Sequence, residues 1–131
     1  MISYQFTGQD SQSTADLMQA VTEGLKRDGI QAFNSLEREG HYRAAHYTPR
    51  QIMADCFRQL DVSDCLLVIL TSGEKSEGTL MEAGYTIALK KRLVVAKHST
   101  LEGIYLPDMT DEVMTWNDLP DLKEQLEKYN F

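Results

Sequence analysis

Two short apolar runs, CLLVIL at residues 65–70 and LVVA at 93–96, bracket residues 72–91, SGEKSEGTLMEAGYTIALKK. Continuous apolar runs of this length read as strands buried on both faces, and a turn plus a helix-length segment between them predicts a βαβ unit with parallel strands. Residues 2–6 alternate apolar and polar side chains and predict a first strand, followed by a polar turn at 7–13. Leu17, Met18, Val21 and Leu25 then recur at helical spacing, with Ser13 or Thr14 as N-cap and Gly29 as stop. Residues 30–33 predict a short second strand. Residues 34–47 show no period, and a connection of that length in a compact domain is where binding loops occur. Thr48, Pro49 and Gln51 combine a threonine N-cap, proline at the first helical position and glutamine at the third, a strong helix start. That helix buries Ile52, Met53, Cys56, Phe57 and Leu60, and residues 61–64 break it before the third strand at Cys65. After the fourth strand come a loop at 98–106, a fifth strand at 112–116 and a last helix from Leu119 to about Tyr129, striped by Leu119, Leu122 and Leu126.

The alternation of strands and helices specifies an α/β three-layer sandwich, flavodoxin-like or Rossmann-like, with a five-stranded, mostly parallel sheet. The economical order is 2-1-3-4-5, within a single domain over residues 1–131. In that order the ends of the first and third strands lie side by side, and ligands bind at the carboxyl ends of such strands. The turns after Phe6 and Leu70 therefore face one cleft.

Composition narrows the partners. A chain of 131 residues with 42% hydrophobic content supports one core. It shows no charged-then-apolar leader and no apolar run near the roughly 20 residues that span a bilayer, so a soluble cytoplasmic protein without membrane contact is expected. A net charge of −7 argues against nucleic acid, whose binding needs a basic surface. A small phosphorylated ligand stays compatible, because backbone amides and helix starts hold phosphate locally. Cys56 and Cys65 fall in apolar patterns without CxxC spacing and read as reduced core residues. His41, His46 and His98 make no zinc spacing, and neither metal nor cofactor is expected.

Glu82 is the first candidate for chemistry, and two readings of it stand. With Thr79 as N-cap, Glu82 completes a T-x-x-E capping box in the first turn of the helix. Alternatively, a carboxylate held ionised near a helix start points into the cleft as a nucleophile. Gly78 and Gly84 remove bulk where a ligand could approach. Ser76 is either an ordinary turn serine or a hydroxyl that joins backbone amides in holding an anion, and the turn containing Thr7, Gly8, Ser11 and Ser13 offers a second such surface without Walker spacing. His41, Tyr42, Arg43, His46 and Tyr47 concentrate rings and a cation in the aperiodic stretch, either as a surface loop or as groups that stack on a flat base. No GxSxG elbow or activated cysteine is present.

Residues 76–89, SEGTLMEAGYTIAL, resemble the nucleoside 2-deoxyribosyltransferase superfamily, in which a glycine-containing turn leads into a helix bearing Glu-x-Gly-x-Ala or a close variant. By that resemblance Glu82 attacks C1′ of the sugar to form a glycosyl-enzyme ester, the substrate is a small-molecule nucleoside or nucleotide, and the protein is a homodimer. Members acting on free deoxynucleosides usually carry aspartate six residues before the glutamate. The deoxynucleoside 5′-monophosphate N-hydrolases carry a serine that helps hold phosphate, and this chain has Ser76. The acid that protonates the leaving base usually stands eight residues before the aspartate preceding the strand. Counting back from Asp64, that position is Cys56. Asp55 is the adjacent candidate acid, about 100° away around the helix. Tyr4 resembles a strand-one tyrosine of the family, offset from its usual place.

The expected function is thus cleavage of an N-glycosidic bond, by hydrolysis or by 2-deoxyribosyl transfer. Two alternatives stand beside it. Residues 2–10, ISYQFTGQD, resemble the opening of Toll/interleukin-receptor-like domains, some of which cleave NAD. A non-catalytic nucleotide-sensing or interaction domain that kept the cleft but lost the acid at Cys56 is the other.

Overall fold

The computed structural model describes residues 1–4 and 11–131, with Ser11 and Ser35 described in backbone only. Four strands, β1 (Ile2–Tyr4), β2 (Cys65–Leu70), β3 (Arg92–His98) and β4 (Glu112–Trp116), form one sheet in the order β1-β2-β3-β4, parallel throughout. The helices are α1 (Ser11–Leu25), α2 (Glu39–Ala44), α3 (Pro49–Val62), α4 (Glu77–Ala88) and α5 (Leu119–Lys128).

Among the described residues the sheet has four strands rather than the expected five. Residues 30–33 form no ladder. One isolated parallel bridge, Ile2 with Asn34, and a hydrogen bond from Ile2 N–H to Phe33 C=O at 2.8 Å mark where that strand would have run. Gln31 and Ala32 are exposed, whereas Ile30 and Phe33 pack partly buried against the two core layers, and the chain leaves the sheet edge after one pairing. The rest of the expected order holds, with β1 beside the strand that begins at Cys65.

Alternation along the strands divides the core into two layers. Tyr4, Leu67, Ile69, Val94, Ala96, Met114 and Trp116 face α1 and α5. Leu66, Val68, Leu70, Leu93 and Val95 face α3 and α4, where Cys56, Leu60 and Ala83 meet them. Gly24 lets α1 approach α5 closely, since a Cβ there would stand 2.9 Å from Leu126 Cβ and 3.0 Å from the Lys123 carbonyl.

Helix α3 starts as expected: Thr48 Oγ1 accepts from Gln51 N–H, and the Gln51 side chain accepts from Thr48 N–H. Its C-terminal carbonyls at Leu60, Asp61 and Ser63 accept from Lys91 Nζ at 2.6–2.8 Å. Two expectations need correction. The stretch 34–47 is not aperiodic loop, for it holds a 3-10 turn, Ser35–Arg38, capped by Asn34, and then α2. The helix of the central βαβ unit begins three residues earlier than the Thr79 cap required. Ser76 is its N-cap, accepting from Thr79 N–H at 3.4 Å, so the T-x-x-E box does not form and Glu82 lies in the second turn.

Candidate functional site

The early start of α4 determines what Glu82 meets. Thr79, Glu82, Ala83 and Thr86 are its buried positions, a stripe at spacings of three and four that faces β1, β2 and α3. Glu82 is only 5% exposed. The Ser3 hydroxyl of β1 and the Cys56 thiol of α3 lie on the side of its carboxyl group. Ser3 Oγ also lies 3.1 Å from Thr79 Oγ1. Glu82 Oε2 is buried with no hydrogen-bond partner among the described residues.

Burial pushes the Glu82 carboxyl above its ordinary value, while the donors at Ser3 and Cys56 and the Met1 α-amine pull in the opposite direction without cancelling it. The same burial, reinforced by the neighbouring Glu82 carboxylate, pushes the Cys56 thiol up to about 12. Cys56 is therefore a neutral donor at physiological pH rather than a nucleophile.

Asp55, one residue earlier on α3, belongs to a different cluster. It is 6% exposed, accepts from Tyr42 Oη at 2.6 Å and Arg38 Nη1 at 2.7 Å, and pairs with Arg58 Nη2 at 3.3 Å. Burial would raise its carboxyl, but the Tyr42 hydroxyl and the two guanidinium groups outweigh that and hold it below the ordinary carboxylate range. The 100° between adjacent helical residues thus separates two environments. Cys56 faces Glu82, whereas Asp55 faces the segment before α3 and stays ionised.

Tyr42 is buried, stacks on Tyr47 with centroids 5.3 Å apart, and has Arg38 over its ring. Its hydroxyl, pressed by burial and by Asp55, is held well above its ordinary value. His41 and His46 are exposed, His41 against the edge of Tyr47, and His46 has φ 54°. Arg43 pairs with Glu39 on the surface of α2. Of this group, Tyr42 is already engaged by Tyr47 and Asp55, while His41, Arg43 and His46 project to solvent.

Ser76 is half-buried and lines a small pocket at the carboxyl end of β2 with Ser72, Lys75 and Thr79. Gly78, second in α4, comes no nearer than 3.9 Å to Met53 Sδ, judged from a Cβ built on it, and a Cβ on Gly84 would meet nothing within 4 Å. Gly84 is exposed, two residues and about 200° of helix from Glu82, on the opposite side of α4. Tyr4 is 3% exposed and points to the α1–α5 side of the sheet, while Ser3 points to Glu82, because successive strand residues face opposite ways. Gly8 and Thr7 lie outside the described residues, while residues 11–13 of the expected turn belong to α1, which therefore starts ahead of the expected Ser13 or Thr14 cap.

Three partners were not singled out from sequence: Ser3, Arg38 and, as a contact of Glu82, Cys56. A signal for Ser3 exists, since a small hydroxyl in a strand buried on both faces needs a polar neighbour. Arg38 gives no such signal, being 17 residues from Asp55 within a segment without apolar period. His98 bonds locally to Thr100 and the Asn117 carbonyl. Among the described residues no cluster of three His, Cys, Asp or Glu side chains could hold a metal ion, and no helix is long and apolar enough to cross a membrane.

The family model described as nucleoside 2-deoxyribosyltransferase matches residues 4–113, a span that includes β2, α3 and α4 in full. No curated protein matches the chain. Among solved structures, the fold is similar to that of the Clostridium botulinum CMP N-glycosidase BcmB, with a TM-score of 0.73, 14% sequence identity and 98% of each chain covered. At that identity the likeness concerns the fold.

Proposed function

Since the chain belongs to the nucleoside 2-deoxyribosyltransferase family, we propose that it cleaves the N-glycosidic bond of a nucleoside or nucleoside 5′-monophosphate, with Glu82 as the nucleophile. The observation that carries this reading is the unpartnered, buried Oε2 of Glu82. A desolvated carboxylate oxygen left without a hydrogen bond is costly in a folded protein, and such groups concentrate where a reacting atom completes the site.

In the proposed reaction a Glu82 oxygen bonds to C1′ as the C1′–N bond breaks, and the base leaves with that electron pair. Water then attacks C1′ and releases Glu82 as a carboxylate. Its hydroxyl stays on the sugar, and its proton balances the one taken up by the base. In transfer, a second base replaces water. Ser76, at the start of α4 beside the small pocket, seats the 5′-phosphate, where the amide donors of the helix start favour an anion. Asp55 does not protonate the base in the free protein, because Arg38 and Tyr42 hold it ionised. Its role is to anchor α2 to α3 beside the cleft.

Incubation with deoxynucleoside 5′-monophosphates, with CMP, and with free deoxynucleosides plus a second base, followed by detection of released or exchanged base, tests this. Base release that is lost in Glu82→Ala supports it. If none of these substrates reacts and Glu82→Ala alters only stability, the reading is wrong. One observation favours a binding-only second reading, the engagement of Asp55 with Arg38 in place of a free acid. It predicts thermal stabilisation by a nucleotide without turnover.

A further inference from the structure

We propose that the outer face of α4 is the surface on which a second copy of this chain docks, helix against helix and antiparallel about Gly84. The inference concerns the side of α4 turned away from Glu82 and does not depend on the role of that residue.

Helix α4 is amphipathic the wrong way round. Its buried stripe, Thr79, Glu82, Ala83 and Thr86, sets three polar side chains toward the protein interior, whereas its exposed stripe is Leu80, Met81, Gly84, Ile87 and Ala88. Leu80, Met81 and Ile87 are 47%, 49% and 44% exposed. Between Gly78 and Leu89 no charged side chain reaches the surface, while α1, α2, α3 and α5 all expose charged residues. A helix that faces water ordinarily shows the reverse pattern, and contiguous exposed apolar surface marks a contact surface. The patch continues past both ends of the helix. Leu80 lines the Ser76 pocket together with Ile104, the neighbour of the exposed Tyr105. Toward the other end, the Tyr85 hydroxyl donates to Asp61 at 2.6 Å and ties the end of α3, with its exposed Val62, to α4.

The pattern selects a second copy as the occupant, because it is complementary to itself. A two-fold axis through Gly84 sets each residue against the one equally far beyond it, so Leu80 meets the small Ala88 and Met81 meets Ile87. Glu77, seven residues before Gly84, comes within one residue's rise, about 1.5 Å, of the level of Lys90, six residues after it. Both are exposed, and neither makes an ion pair among the described residues. Symmetry brings these opposite charges together twice. Lys91 is tied to the carbonyls of Leu60, Asp61 and Ser63. Chains of net charge −7 repel one another, and this face is where two copies meet without opposing like charges. A helix of twelve residues is about 18 Å long. Its face with these flanks lies below the roughly 800 Å² that each partner gives to a standard interface, so a dimer of micromolar strength is expected.

Sedimentation equilibrium of the full chain from about 1 to 100 μM reads the pairing. Wild type should pass from monomer to dimer across that range. Met81→Glu and Ile87→Glu place charge at exposed positions of the face, and each should stay monomeric while keeping the circular dichroism of the wild-type fold. Glu77→Lys and Lys90→Glu should each weaken the dimer about tenfold through two like-charge contacts. The double exchange, Glu77→Lys with Lys90→Glu, should restore wild-type strength, which a partner other than a second antiparallel copy would not produce. A double variant that pairs no better than the single ones overturns the proposal. So does a wild type that stays monomeric at the upper concentration, including one whose face adheres to phosphatidylcholine vesicles instead. A dimer that Met81→Glu and Ile87→Glu leave intact overturns it as well, because the contact then lies elsewhere.

Discussion

Asp55 and Cys56, neighbours in sequence, serve different sides of α3: Asp55 Oδ2 sits 2.7 Å from Arg38 Nη1, and the buried Cys56 thiol lies on the side of Glu82. One side is an ion-paired cluster that stays charged, the other a dry cluster whose only acid is pushed toward its neutral form. Their responses to mutation and pH should therefore differ in sign.

For Asp55 the folded-state carboxyl lies below its unfolded value. Its contribution to stability is then fully present above about pH 4, the unfolded value, and is lost as pH falls through the folded one. Arg38→Met removes a partner that is itself 36% exposed, so a loss of about 1–3 kcal/mol at pH 7 is expected rather than the larger cost of a fully buried pair. Urea unfolding at pH 7 and at pH 3 checks it: the difference between variant and wild type should shrink at the lower pH.

Glu82 behaves in the opposite way, because its folded-state carboxyl lies above the unfolded value. The folded chain binds that proton more tightly, so the stabilisation is present below the unfolded value and is lost as pH rises through the folded one. Glu82→Gln should abolish base release and raise the melting temperature at pH 8 by a few degrees, on the order expected when a strained functional group is removed. A variant less stable than wild type at pH 8 would contradict the assignment of burial as the dominant cause.

Ser76 both caps α4 and seats the proposed phosphate, and two substitutions separate these tasks. Ser76→Asp keeps an N-cap acceptor while placing negative charge against a phosphate. Its stability should match wild type within about 0.5 kcal/mol, whereas KM for a 5′-monophosphate rises tenfold or more, by about 1.4 kcal/mol of binding, and KM for the free nucleoside does not. Ser76→Ala should instead lose about 0.5–1 kcal/mol of stability, at the lower end because the cap bond is 3.4 Å long. Denaturation curves with steady-state kinetics on both substrates decide.

Two glycines in helices should respond oppositely to alanine. Gly24→Ala forces a Cβ to within 2.9 Å of Leu126 Cβ and should cost about 1–3 kcal/mol despite the better helix former. Gly84→Ala meets nothing, should gain up to about 1 kcal/mol, and should leave turnover unchanged because it faces away from Glu82. Chemical denaturation of both variants checks the pair, and a drop in turnover for Gly84→Ala would place substrate on the outer face of α4.

The sequence made most of the framework legible. The runs at 65–70 and 93–96, the Thr48 cap and the Leu122 and Leu126 stripe are local signals, and each corresponds to an element in the structure. The strand at 30–33 is where propensity misleads: Ile30 and Phe33 pack against the core as strand residues would, but the segment makes a single bridge and no ladder. Helix α2 was hidden because its one buried residue, Tyr42, gives no period. At the candidate site, Glu82 and Ser76 stand out by spacing, but the start of α4 could not be chosen between two hydroxyl caps three residues apart. That choice decides whether Glu82 caps a helix or lies under one. The partition of Asp55 and Cys56 needs the orientation of α3 against both neighbours, which no local pattern carries.

The single bridge between Ile2 and Asn34 has a consequence for timing. Among the described residues, strand β1 is laddered to β2 on one flank and carries one bridge on the other. Ser3, which contacts Thr79 on the Glu82 side of the sheet, rides on that strand, whereas Cys56 rides on a fourteen-residue helix. Local opening at the sheet edge should move Ser3 away from α4 while leaving Cys56 in place. Amide exchange at Ile2, whose N–H is held by Phe33, would then report how often Ser3 parts from Thr79. A ligand that spans the cleft would slow that exchange before it altered the melting of the whole chain.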